Sequence, residues 1–236
     1  MSIPLVKKLS YLSLAILFLC CSYTAQADDH ASESLHINST ALAELYANDA
    51  NYLWLKNQQF TAQTHDALEF ISSAASHGFK PIDYHYDLLR YLDPGVDEKQ
   101  AQQFELLLSD GLLKLMQDVA IGQRNPAEAD PDWQIPRAEF NAIEYLQQAL
   151  INKQLKYQLT ELTPKLNEYQ ILGTALARYQ TYVDRGGWNS IPETPLLNPD
   201  DSHKSIPAIR SRLTVSNRSL FQPEKKKDRF YDAELV

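Results

Sequence analysis

Histidines, cysteines and carboxylates carry out chemistry only where partners stand at suitable spacing, as nucleophile with base, acid with base, or metal ligand set. The two cysteines, Cys20 and Cys21, sit in an apolar stretch near the N-terminus, and none follows them. No Gly-x-Ser-x-Gly, His-Glu-x-x-His or glycine-rich phosphate loop occurs. Of the 6 histidines, His30 and His36 fall in a polar segment and His203 in a polar loop, which leaves His65, His77 and His85. His77 precedes Gly78 at an expected helix end, where a cationic ring suits the dipole, and His85 follows Asp83 into a short helix. Capping explains both. A metal set of His77, Asp83 and His85 is conceivable, but Pro81 intervenes and the His-x-x-x-His spacing of a helical site is missing.

Paired carboxylates for acid/base work are available in Glu44 with Glu69 and in Asp110 with Glu168, yet nothing singles out either pair. Most such residues fall on the polar faces of the expected helices, so a solvated surface is the default reading. Trp54, Trp133 and Trp188 each lie at a helix boundary or in a loop. There an aromatic either pins the loop to the core, the commoner role, or offers a sugar-stacking platform. These patterns assign no catalytic, cofactor-binding or metal-binding residue.

The elements that position these side chains read as helices. Glycine is scarce, at 7 residues, and apolar residues recur at three-to-four spacing, so the fold class is all-α, a compact helical bundle with long loops. One helix is predicted from Thr163-Pro164 to Gly186-Gly187, with Leu166, Tyr169, Leu172, Leu176, Tyr179 and Val183 as its core stripe. A second runs from Asp97 to Gly122 and buries Phe104, Leu107, Leu108, Leu112, Leu115, Met116 and Val119. Gly111 in its middle costs about 1 kcal/mol against alanine, which points to close packing by another element. Shorter helices fit 41–47, 62–76, 83–92, 137–152 and 206–213, while 125–133 and 188–205 read as loops.

Lys7 and Lys8, the apolar stretch from Leu12 to Cys21 and Ala25-x-Ala27 read as a secretion signal over 1–27, cleaved to leave Asp28 first. Lipidation at Cys20 or Cys21 is disfavoured by the bulky residues before them. The apolar stretch is also too short for a retained anchor. The expected location is periplasmic. After cleavage 20 basic residues face 30 acidic ones, a net charge of −10, which argues against nucleic acid as a partner. The basic cluster Lys225-Lys226-Lys227 with Arg229 reads as a solvated linker.

Segments 28–38 are expected to be disordered, 39–222 to form one helical domain, and 223–236 to be a linker and the truncated start of a further module. Asp232 has the look of a helix N-cap with only about one turn after it, which reads as truncation.

Four segments in order carry a resemblance: LYANDANYLWL from Leu45, HGFKPIDYH from His77, LLLSDGLLKLMQDVAIGQRNP from Leu106, and YQILGTALARYQTYVDRGGWNSIP from Tyr169. Together they resemble the N-terminal scaffold domain of the large murein L,D-transpeptidases of the YcbB type. In that family a peptidoglycan-binding module and a YkuD-type catalytic domain follow, with the cysteine in a Ser-x-Gly-Cys motif and a histidine upstream. Neither catalytic element occurs here, and FYDAELV is similar to the opening of the binding module.

The resemblance implies a non-catalytic scaffold role in peptidoglycan crosslinking, with no cofactor. It implies as partners the catalytic and peptidoglycan-binding domains of the same full-length protein, and peptidoglycan or other cell-wall proteins. It predicts an exposed apolar docking face. The alternatives are an independent helical periplasmic binding protein with a defined pocket, and an acid/base enzyme acting on glycan.

Overall fold

The computed structural model describes residues 37–47, 52–216, 229–232 and 235. The expected secretion signal, the polar segment up to residue 36 and the Lys225-Lys226-Lys227 cluster lie outside the described residues. The fold is all-α, and the strands β1 (Leu55–Lys56) and β2 (Gln59–Phe60) form one small antiparallel hairpin. Its turn residues, Asn57 and Gln58, both take positive φ, the conformation that lets a two-residue turn match the strand twist. The chain divides into two compact units, Met1–Gln170 and Ile171–Val236.

The first unit is built around one long helix. After α1 (Ser39–Leu45) and the hairpin come α2 (Ala62–Ser72), two 3-10 turns (Ser73–His77 and Pro81–Tyr84), and the single-turn α3 (Tyr86–Leu89). Then follow α4 (Glu98–Ile121), α5 (Pro126–Ala129), α6 (Ala142–Ile151) and α7 (Leu155–Leu162). The expected boundaries of α4 hold: the Asp97 side chain accepts from the Gln100 amide at 2.7 Å, and the helix stops at Gly122, whose φ is +77°. Helices α1, α2, α3, α6 and α7 and the Pro81–Tyr84 turn all pack on α4. Phe104, Leu107, Leu108, Leu112, Leu115 and Met116 are fully buried as a result.

Gly111 is the point of closest approach. A Cβ there would collide with the Tyr84 carbonyl oxygen and stand 3.4 Å from Ile71 Cδ1. The helix tolerates glycine because the Pro81–Tyr84 turn lies against its backbone. His85, next in the chain, takes φ +63° and ends that turn while opening α3. The expected continuous helix over 83–92 is therefore broken at His85.

Three further boundaries differ from expectation. Ser73–His77 is a 3-10 extension of α2 rather than α-helix, ending at left-handed Gly78. Helix α6 begins at Ala142, with the Asn141 side chain accepting from the Glu144 amide at 3.1 Å, and Arg137 instead donates to the Gly122 carbonyl. Pro126–Ala129 forms a single helical turn inside the expected loop 125–133.

Helix α8 (Asn167–Asp184) starts later than Thr163-Pro164. Thr163 closes α7 in extended geometry, as steric pressure from the following proline favours. The larger correction concerns its stripe: no residue of α8 is buried, and Leu166 before it and Leu172 within it are each 67% exposed, with Val183 at 52%. Helical periodicity marks the apolar side of a helix, not whether anything covers it.

In the second unit, α9 (Ile206–Ser216) follows the loop 188–205, and residues 229–232 pair with that loop. Ser202 bridges Phe230, and the Tyr231 amide donates to the Asp201 carbonyl at 2.8 Å. Buried Arg210 fastens this return, with Nη2 2.7 Å from Asp232 Oδ1. The Asp232 carboxylate therefore closes an ion pair; the Leu235 amide reaches only its backbone carbonyl.

Candidate functional site

Polar side chains enter the core of the first unit along α4. Glu105, Ser109 and Asp110 lie in the middle of the helix, where nearly every residue from Phe104 to Met116 is buried. Each is bonded, as burial demands. Glu105 Oε1 accepts from the Tyr46 hydroxyl at 2.9 Å and from the Leu53 amide, and its Oε2 accepts from the Trp54 amide at 3.2 Å. Ser109 Oγ accepts from Trp54 Nε1 at 2.7 Å and lies 2.7 Å from the Tyr46 hydroxyl. Asp110 Oδ2 meets His85 Nε2 at 2.7 Å, and Oδ1 accepts from the Asn38 amide at 2.8 Å.

Burial pushes the Glu105 carboxyl up to about 7, outweighing the donors from Leu53, Tyr46 and Trp54 that favour its charge. Burial raises the Tyr46 phenol as well, with the Glu105 charge adding to it. A carboxyl poised near neutrality is a common mark of catalytic acids. Here every donor aimed at it comes from the protein's own chain, and the group faces Tyr46, Leu53 and Trp54 rather than the groove beside α4. The arrangement is a structural clamp.

Beside the ladder runs an open groove of about 970 Å³. Its floor is one side of α4, from Asp110 and Leu113 to Asp118. Its walls are the start of α1, with Ile37 and Ala41, and the entry to α6, with Phe140 and Ile143. Asp118 Oδ2 accepts from the Tyr84 hydroxyl at 2.8 Å, which fixes the far end of the floor.

The structure disperses the residues that sequence reasoning weighed for chemistry. His77 stands in the last turn before Gly78, its Nδ1 lies 2.6 Å from the Tyr169 hydroxyl, and burial lowers its pKa. His85 is engaged by Asp110, and the Asp83 carbonyl accepts from Lys114 Nζ at 3.0 Å. Among the described residues no three such groups converge on a point where a metal ion would sit.

Glu44 faces the groove, whereas Glu69 pairs with Lys156 at 2.9 Å in a separate depression between α2 and α7. Asp110 is buried and Glu168 exposed in the first turn of α8, so neither carboxylate pair is assembled. Asp110 also departs from the solvated-surface default.

Trp54 is fully buried and fastens its loop to the core through Ser109. Trp188 packs with Tyr179 and Tyr182 at ring distances of 5.9 and 5.7 Å, under the Arg212 guanidinium at 4.4 Å. Both pin their loops. Trp133 donates to the Ile135 carbonyl at 2.9 Å within its own loop. Tyr46, Glu105 and Ser109 were not anticipated; the available signal was that Glu105, Ser109 and Asp110 interrupt the leucine-rich stretch from Phe104 to Met116.

The first unit is thus a helical packing around α4 whose buried polar ladder is bonded within the chain itself. Its match to the model described as Scaffold domain covers residues 40–176, more than half of the chain, so the protein belongs to the scaffold-domain family of L,D-transpeptidases. No curated protein and no solved structure matches the chain.

Proposed function

We propose that this chain is the non-catalytic scaffold portion of a murein L,D-transpeptidase, exported to the periplasm and serving peptidoglycan crosslinking and cell-wall biogenesis. The observation that carries the reading is the family match, which spans the whole helical packing around α4 and reaches into α8. No cysteine follows Cys21, so residues 22–236 supply no thiolate for a thioester step. The chemistry then belongs to a catalytic module, and this chain contributes a rigid frame.

The apolar side of α8 is the face on which such a module docks. Leu172 and Val183, which share one face of α8, leave apolar surface bare there, the kind of patch that marks interaction sites. The Lys7-Lys8 and Ala25-x-Ala27 pattern supports export.

The test is deletion of the gene followed by muropeptide analysis of the cell wall. Crosslinks joining two diaminopimelate residues should fall, and restoring the chain together with its catalytic module should recover them. An unchanged crosslink profile would remove the proposal.

A further inference from the structure

The groove between α1, α4 and α6 combines an apolar bed with an acidic edge. Glu44 and Glu139 are exposed at its rim, and neither side chain has a hydrogen-bond or ion-pair partner among the described residues. Asp110 and Asp118 line it as well, already engaged by His85 and Tyr84. One cation, Lys114, lines it among the described residues. Its ammonium is drawn aside to the Asp83 carbonyl at 3.0 Å and stands 5.5 Å from the centre of the Tyr84 ring. Four carboxylates thus face one ammonium around the groove, and the Glu44 and Glu139 carboxylates are paired with neither it nor another cation among the described residues.

We propose that this groove is a docking site for a cationic, apolar peptide segment of a partner protein. Two properties select that occupant. Its apolar bed of Ile37, Leu113, Phe140 and Ile143 calls for an apolar body, and the space, about 970 Å³, exceeds what a single amine or metal ion fills. Lysine and arginine meet both demands at once, because their stems lie along apolar surface while the charged heads reach outward to carboxylates. Glu44 on α1 and Glu139 before α6 stand on the two walls, so such heads are held on either side of the bed. An anionic occupant meets like charge from both walls, which excludes nucleic acid and acidic lipid surfaces. The assignment is independent of the transpeptidase reading, since it rests on the groove alone.

The probe is a short fluorescein-labelled leucine–lysine peptide titrated into the full chain and followed by anisotropy, with isotope-labelled isoleucine methyls read by NMR. Saturable one-to-one binding is expected, with the Ile37 and Ile143 methyls shifting. The double variant E44K/E139K should weaken it about ten-fold, while E168K/E193K, the same charge change on exposed residues outside the groove, should leave it unaltered. Absence of saturable binding would overturn the site. So would an equal loss in both double variants, equal binding of a leucine–glutamate peptide, or methyl shifts confined to Ile206 and Ile209. All four substituted positions are exposed, and the circular dichroism spectrum of each variant verifies that it is folded.

Discussion

The Glu105 carboxylate accepts the Tyr46 hydroxyl at 2.9 Å across 59 positions of sequence, and the same oxygen accepts the Leu53 amide. One buried side chain on α4 therefore holds both ends of the segment that leads from α1 into the hairpin. Around this clamp the consequences of substitution and of pH follow from burial and bonding.

Burial raises the Glu105 carboxyl from its ordinary 4.5 to about 7 in the folded chain, so the folded state binds this proton more tightly than the unfolded state. That advantage is fully present below the unfolded pKa and is lost as pH rises through the folded one. The total change is about 3 kcal/mol of stability. Urea denaturation at about pH 5 and about pH 8 should show the wild type losing stability that E105Q keeps. Equal pH dependence in the two proteins would remove Glu105 as the cause.

Ser109 receives the Trp54 indole N–H and faces the Tyr46 hydroxyl. S109A leaves both buried groups short of a partner, at a cost of about 1–3 kcal/mol. Denaturant unfolding monitored by tryptophan fluorescence measures it. A neutral effect would mean that the two groups satisfy each other or meet water.

Gly111→Ala tests two opposed effects. Helix propensity favours alanine by about 1 kcal/mol. A Cβ meeting the Tyr84 carbonyl forces α4 away from the Pro81–Tyr84 turn, and overpacking of that kind costs about 1–3 kcal/mol. A net loss of stability is expected, and a gain would show that the turn yields freely.

Asp110 fixes His85 in its left-handed conformation and accepts the Asn38 amide that enters α1. D110A leaves the buried His85 ring and the part-buried Asn38 amide without their acceptor and should cost about 3 kcal/mol. Combined with H85A, its effect should fall short of the sum of the two single losses, because the pair is removed once. Strict additivity would deny the coupling.

Much of the framework was legible in the residues themselves. Asp97 and Gly122 bracket α4 because a cap and a positive-φ stop are local signals, and Gly111 announced a close approach within one helix. Helix α7 was missed because Thr163-Pro164 reads as a helix start, while Leu155 and Leu159 give its buried side only two residues. The polar ladder was hidden for a different reason. Whether Glu105 is solvated or enclosed depends on Tyr46 and Trp54, which lie more than fifty positions away. The same limit applied to α8, whose stripe was visible although its lack of cover was not.

The proposed docking of catalytic and peptidoglycan-binding modules on α8 is tested by association in trans. The catalytic and peptidoglycan-binding modules of the same organism's enzyme would be mixed with this chain and followed by sedimentation velocity. A one-to-one complex is expected that L172D/V183D abolishes, with stability changed by no more than about 0.5 kcal/mol because both positions are exposed. No complex, or a complex indifferent to that double substitution, would contradict it.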